Sequence, residues 1–161
     1  MSPVHPDTLS ALTAGIQSEV ASYVFYREAS RKTQAADHKD VLEKLALEEK
    51  DHFHILERQF DSLVRSEKWI STADILKQEG LPEITEAMSE QHRELINEVV
   101  SAGSMKAILD IAFRLEKEAH ELFEAARDKM DTPEGRKMFE QLSGFEEGHM
   151  RIIDEMRKKY A

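Results

Sequence analysis

Apolar residues recur along most of the chain at alternating steps of three and four, which is the spacing of one face of an α-helix. Two stretches, TQAADHKD and DTPEG, interrupt this pattern and are predicted to be loops. The pattern predicts an all-α chain with four long helices, over residues of about 7–33, 39–65, 104–130 and 135–159.

The segment at about residues 66–103 has a weaker pattern, which Gly80 and Pro82 interrupt. A shorter helical stretch is predicted there, from Glu83 to about Val100. We expect this segment to connect the two halves of one domain that spans residues 1–161.

The second half of the chain repeats the first without a gap when the two are offset by 97 residues. Both predicted loops coincide under this offset, and apolar positions fall on apolar positions. The chain is therefore predicted to consist of two copies of one antiparallel helical hairpin, about 7–65 and 104–159, joined by a long crossover into a four-helix bundle.

Each predicted apolar stripe carries a glutamate near its centre, at Glu19, Glu49, Glu116 and Glu146. The midpoint of the first two is position 34 and that of the last two is position 131, and both midpoints fall in or beside a predicted loop. Residues equidistant from a hairpin loop lie at the same height, so all four carboxylates are expected in one buried layer. Each lies roughly 18 Å from a helix end, which is too deep for the side chain to reach water.

Four buried carboxylates would repel one another and lose their hydration, which costs several kcal/mol for each bare ion. Protonation could relieve this repulsion, as could cations, and two divalent ions would carry four positive charges against the four glutamates. His52 and His149 follow Glu49 and Glu146 by three residues, so each histidine faces the same place as its glutamate. The sequence therefore predicts a dinuclear metal site, with six ligands: Glu19, Glu49, His52, Glu116, Glu146 and His149.

Two further polar residues lie on the predicted inner stripes. Tyr26 follows Glu19 by seven residues and could donate a hydrogen bond to a ligand carboxylate across the site; the alternative is a core tyrosine with a satisfied hydroxyl. His120 follows Glu116 by four residues and is either a supporting or added ligand or a packed histidine. The remaining polar residues of interest are expected at the surface or directed away from the stripe: His5, His38, His54, His92, Glu48, Glu118 and Glu147.

The composition excludes several other kinds of site. The chain has no cysteine, which excludes disulfides, iron–sulfur clusters and thiolate zinc sites. Its net charge of −10 disfavours binding to nucleic acid or to an anionic membrane. No signal-peptide pattern or membrane-length apolar run is present in the sequence, so a cytoplasmic location is expected.

One glutamate from each of two helices plus Glu-x-x-His from each of the other two resembles the ligand pattern of ferritin-like di-iron carboxylate proteins. The stretches EVASYVFYREA (19–29) and LEKEAHELFEAA (115–126) are similar to the rubrerythrin-like branch of that superfamily. The resemblance covers both hairpins but not the connection. It implies that Glu49 and Glu146 bridge two metals.

The resemblance implies two iron ions, with manganese or a mixed iron–manganese pair as alternatives and zinc as an adventitious occupant. The expected function is a redox reaction with hydrogen peroxide or dioxygen, with an external electron-donor protein. One alternative is a ferroxidase that feeds iron storage, and another is a non-redox metal-binding scaffold. A homodimer or a larger homo-oligomer is an expected state of assembly. Two departures matter: no cysteine-rich rubredoxin domain is present, and Ala119 stands where rubrerythrins carry an additional glutamate.

Overall fold

The computed structural model describes residues 4–160, which form α-helices and no β-strand, so the all-α prediction is confirmed. Residues 1–3 and 161 of the predicted domain lie outside this range. The helices are, in order, α1 (Pro6–Lys32), α2 (Ala36–Ser66), α3 (Thr72–Leu76), α4 (Glu86–Glu90), α5 (Arg93–Ser101), α6 (Met105–Lys129) and α7 (Pro133–Lys158).

The loops that join α1 to α2 and α6 to α7 are shorter than the sequence predicts. Each is three residues long, 33–35 and 130–132, because α2 begins at Ala36 and α7 at Pro133. Proline suits the first position of a helix, where its missing N–H is not needed, so the helix already begins at Pro133, within the stretch DTPEG. The Thr132 hydroxyl caps this end by accepting a hydrogen bond from the Gly135 N–H at 3.2 Å.

The four long helices pack as two hairpins, α1 with α2 and α6 with α7, and α1 also packs against α6. Gly15 lies where three of these helices meet. A Cβ atom at this position would lie 3.0 Å from side-chain carbons of both Leu56 and Phe123, so the glycine permits the close approach.

Most of the core lies in two large apolar clusters, each with side chains from all four long helices, and a third, smaller cluster consists of Val20, Val24, Phe53 and Ile96. One cluster includes Tyr26 and Leu109, and the other includes Leu12 and Phe139. Along every long helix, the buried glutamate predicted from the sequence separates residues of one cluster from residues of the other. The apolar clusters therefore enclose a polar layer from both sides.

The connection between the hairpins departs from the predicted single helix over residues 83–100, because the helix is interrupted between α4 and α5. His54 was expected at the surface but is buried, since the connection covers it and its Nε2 lies 2.8 Å from the carbonyl oxygen of Pro82. His38 is buried as well, beside the hydroxyl of Tyr160 at 2.9 Å. Among residues 4–160, none of the helices is long and apolar enough to cross a membrane.

Candidate metal centre

The four glutamates of the polar layer meet in the middle of the molecule, one from each long helix. Glu19, Glu49, Glu116 and Glu146 have no solvent exposure at all. The midpoints of the hairpin loops are residues 34 and 131, which places both members of each glutamate pair equally far from their loop. The even spacing about each loop accounts for the common height of the carboxylates.

The two predicted histidines complete the layer. His52 directs its Nδ1 atom at the carboxylates, 3.1 Å from Oε1 of Glu146 and 3.6 Å from both Glu19 and Glu49. The Nδ1 atom of His149 lies 2.7 Å from Oε1 of Glu49, 3.4 Å from Glu116 and 3.5 Å from Glu146. The two imidazole rings are stacked, with centroids 5.7 Å apart.

These side chains form two overlapping sets of potential ligands, which we call the His52 group (Glu19, Glu49, His52, Glu146) and the His149 group (Glu49, Glu116, Glu146, His149). Within each group, one ligand atom from every residue lies within 4.8 Å of the others. Metal–ligand distances of about 2.1 Å place opposite ligands ~4.2 Å apart, so each group needs only slight contraction to hold an ion. Glu49 and Glu146 belong to both groups.

Several carboxylate oxygens of the cluster have no hydrogen-bond partner within residues 4–160. They are both oxygens of Glu19 and the Oε2 atoms of Glu49, Glu116 and Glu146. Buried acceptors without donors are rare, because each loses its hydration without compensation. These oxygens are directed into the layer where a cation would supply the missing interaction, so the donor set fits divalent metal ions.

The carboxylates respond to this crowding in two ways. Burial, together with repulsion from Glu146 and Glu49, raises the pKa of Glu19 well above its usual value. Burial and repulsion from Glu146 likewise raise the pKa of Glu116 to about 7. Although burial opposes it, close approach of neighbouring carboxyl groups and of the two histidines lowers the pKa of both Glu49 and Glu146. The two shared carboxylates are therefore easier to ionise than Glu19 and Glu116.

The histidines respond in the opposite direction. Burial alone would lower the pKa of His52, but hydrogen bonds to Glu146 and Glu49 raise it to about 10. Hydrogen bonds to Glu116, Glu146 and Glu49 outweigh burial in the same way and raise the pKa of His149 well above its usual range. In the metal-free chain, protons thus provide the positive charge that balances the shared carboxylates.

Tyr26 lies at the edge of the cluster, where its hydroxyl donates a hydrogen bond of 2.6 Å to Oε1 of Glu116. Burial and the charge of Glu116 raise the pKa of Tyr26 well above its usual value, so the hydroxyl keeps its proton and remains a donor. The structure therefore places Tyr26 where it orients one potential metal ligand.

His120 makes its contacts outside the cluster. Its Nδ1 atom lies 3.0 Å from both the carbonyl oxygen and the hydroxyl of Ser143, and its Nε2 atom lies 2.6 Å from Glu124. The buried stripe of α6 runs through Ala119 instead, which is 1% exposed, so His120 is rotated towards the edge of the helix. Within residues 4–160, no hydrogen bond joins His120 to a carboxylate of the two groups.

Glu48 was expected to point away from the stripe, but its Oε2 atom lies 3.1 Å from Nε2 of His149. The other histidine, His52, is bordered by Phe145, whose ring stacks on the imidazole with centroids 5.1 Å apart. Glu48 and Phe145 are equivalent in the internal repeat, and this equivalence was the one signal in the sequence that could have drawn attention to them.

Comparisons of the chain with protein-family models, with curated proteins and with solved structures found no match.

Proposed function

We propose that the chain is a dinuclear metal protein, most simply di-iron, that carries out redox chemistry on hydrogen peroxide or dioxygen. The observation that supports this most directly is the pair of overlapping ligand groups, which share Glu49 and Glu146 and lie at full burial. A single structural ion would need only one such group. The repeated hairpins and their ligand pattern resemble a ferritin-like bundle of the rubrerythrin-like branch.

Under this proposal Glu49 and Glu146, which belong to both groups, would contribute ligand atoms to both ions. Glu19 and His52 would complete the ligands of one ion, and Glu116 and His149 those of the other. Carboxylate-rich ligation with one imidazole for each ion suits iron or manganese, whereas zinc would bind without supporting redox chemistry. The four carboxylates balance the charge of two divalent ions, so binding requires no additional counter-ion from the protein.

The burial of the site limits the substrate. The glutamates are fully buried and the two histidine side chains are each 7% exposed, so only a small diffusible molecule can reach the ions. A reduced pair of ions would supply two electrons, which with two protons convert hydrogen peroxide into two water molecules or dioxygen into hydrogen peroxide. Under this proposal an external donor protein would return the electrons, since the sequence has no cysteine that could hold an iron–sulfur centre or form a redox-active disulfide.

Metal analysis of the protein purified from its own host tests this proposal. We expect two ions per chain, predominantly iron or manganese, and a change in the absorption spectrum when the anaerobically reduced protein is mixed with peroxide or dioxygen. Saturation at ~100 times the dissociation constant should stabilise the fold by about 2.7 kcal/mol for each ion bound, which is measurable as a higher melting temperature. Zinc occupancy without a spectral change, or an unchanged melting temperature, would contradict the redox proposal and favour the scaffold alternative.

A further inference from the structure

The internal repeat places unlike residues beside the two ligand groups. Glu48, which contacts His149, is equivalent to Phe145, which contacts His52. Tyr26, which contacts Glu116, is equivalent to Phe123 of the apolar core. At both pairs of positions, the polar member borders the His149 group and a phenylalanine occupies the equivalent place.

The contact of Glu48 acts on the outer nitrogen of His149. The Nδ1 atom of this ring faces Glu49 and the cluster at 2.7 Å, and Nε2 faces Glu48 at 3.1 Å. If Nδ1 binds an ion, the proton of the neutral ring must be on Nε2, and this N–H then donates to the Glu48 carboxylate. Such a partner fixes the tautomer and the orientation of the ring and makes the imidazole a stronger ligand.

The contact of Phe145 is of another kind. Its ring lies nearly parallel to the His52 ring, at an interplanar angle of 15°, and covers its face. Stacking restricts rotation of the imidazole, but a phenyl ring offers no acceptor for the Nε2 proton. Phe145 therefore packs against His52 without selecting its tautomer or raising its basicity.

From this difference we propose that Glu48 is a positioning residue for His149 and that the two metal positions are unequal. The His149 group binds its divalent ion first and more tightly, and the His52 group binds second. This inference rests on the proposed function, since it requires that both groups bind divalent ions.

Titration of the metal-stripped protein with Co(II), followed by visible absorption, tests the inference. We expect two binding steps in the wild-type chain, and crystals with one equivalent of Co(II) should show anomalous scattering beside His149. Glu48→Ala should weaken the first step by about 10- to 100-fold. Glu48→Gln keeps an acceptor oxygen without the charge, so its affinity should lie between those of wild type and Glu48→Ala.

Glu147→Ala is the matched control, because Glu147 also adjoins a ligand glutamate in sequence but is exposed and paired with Arg151 at 2.8 Å. It should leave both steps unchanged. Phe145→Glu introduces a carboxylate at the repeat-equivalent position and should tighten the second step. This gain does not depend on the folding of the Glu48 variants.

The outcomes separate the two proposals. Two equal steps, a first ion beside His52, or identical titrations of Glu48→Ala and Glu147→Ala would overturn the inference and leave the dinuclear proposal standing. A wild-type chain that binds no Co(II) would overturn both.

Discussion

The two ligand groups are formed by equivalent residues of an internal repeat, yet their surroundings differ. The His149 group has the hydroxyl of Tyr26 on Glu116 and the carboxylate of Glu48 on His149. The His52 group has the ring of Phe145 stacked on its histidine, and both oxygens of Glu19 lack a hydrogen-bond partner among residues 4–160. The repeat thus specifies which potential ligand atoms face one another, whereas residues outside the repeated pattern make the contacts in which the two groups differ.

Removing a shared carboxylate should remove the difference between the two groups, because each group loses one of its ligands. We expect Glu146→Ala to lose most of the binding of both ions, a greater loss than the ~10- to 100-fold cost of removing an outer partner. Metal content after gel filtration, together with the melting temperature with and without Mn(II), measures this. The control is Glu147→Ala, and two tightly bound ions in Glu146→Ala would show that Glu146 is not shared.

Removing an unshared carboxylate should affect one group only. Glu19→Gln is expected to leave one tightly bound ion, held by the His149 group, and Glu116→Gln is expected to leave one weaker ion, held by the His52 group. Both variants keep the side-chain size and remove one charge. Counting ions by mass spectrometry under native conditions gives the stoichiometry directly. The assignment of separate groups fails if either variant loses both ions.

The sequence alone was sufficient to predict the four long helices and the residues that meet between them. The apolar period persists over more than 20 residues in each helix, and the glutamates are equally spaced about Gln34 and Asp131, so neither result needed knowledge of tertiary contacts. The predicted helix starts were less accurate. The helix that begins at Ala36 has no side-chain cap that the sequence could reveal, and Pro133 was interpreted as a loop residue.

Contacts across the polar layer could not be predicted from periodicity. A residue beside the stripe, such as Glu48 or His120, can turn towards a neighbouring helix or away from it, and a rotation of a few tens of degrees decides which. That rotation depends on packing: small residues such as Ala119 occupy the centre of α6, so His120 is directed towards Ser143. The position of the connection over His54 is likewise a tertiary property.

The pH dependence of metal binding tests a property that the two groups share, which is that both bind protons in the metal-free chain. In the folded metal-free chain, the pKa of His52 is raised from 6.5 to about 10 and that of Glu116 from 4.5 to about 7. The stability that these protons provide is fully present below the usual pKa values and is lost as the pH rises through about 7 and then about 10. Metal ions displace the same protons, so metal affinity should rise with pH over this window.

Each proton released should strengthen binding about tenfold per pH unit. Calorimetric titration with Mn(II) at several pH values, in buffers of different ionisation enthalpy, gives both the affinity and the number of protons released. Glu118→Gln, a change on an exposed face of α6, should leave the pH profile unaltered. Binding that is independent of pH would contradict the protonation of the metal-free cluster.

The smallest expected effect concerns the hydroxyl of Tyr26. Tyr26→Phe removes the donor to Glu116 and leaves the ring in its apolar cluster, so the fold should persist. Loss of this bond frees the Glu116 carboxylate to rotate, which should weaken binding of the ion in the His149 group by about tenfold and leave the His52 group unchanged.

Tyr23→Phe is the matched control, since Tyr23 lies on the same helix but contacts Arg27, whose guanidinium lies 5.5 Å from the ring centre. Tyr26 and Glu48 act on Glu116 and His149, which lie 3.4 Å apart and belong to one group, so the effects of Tyr26→Phe and Glu48→Ala should depart from additivity in free energy. A Co(II) titration of the two single variants and the double variant measures this directly. If Tyr26→Phe weakens both binding steps equally, the hydroxyl supports the whole layer, and its contribution to the difference between the groups disappears.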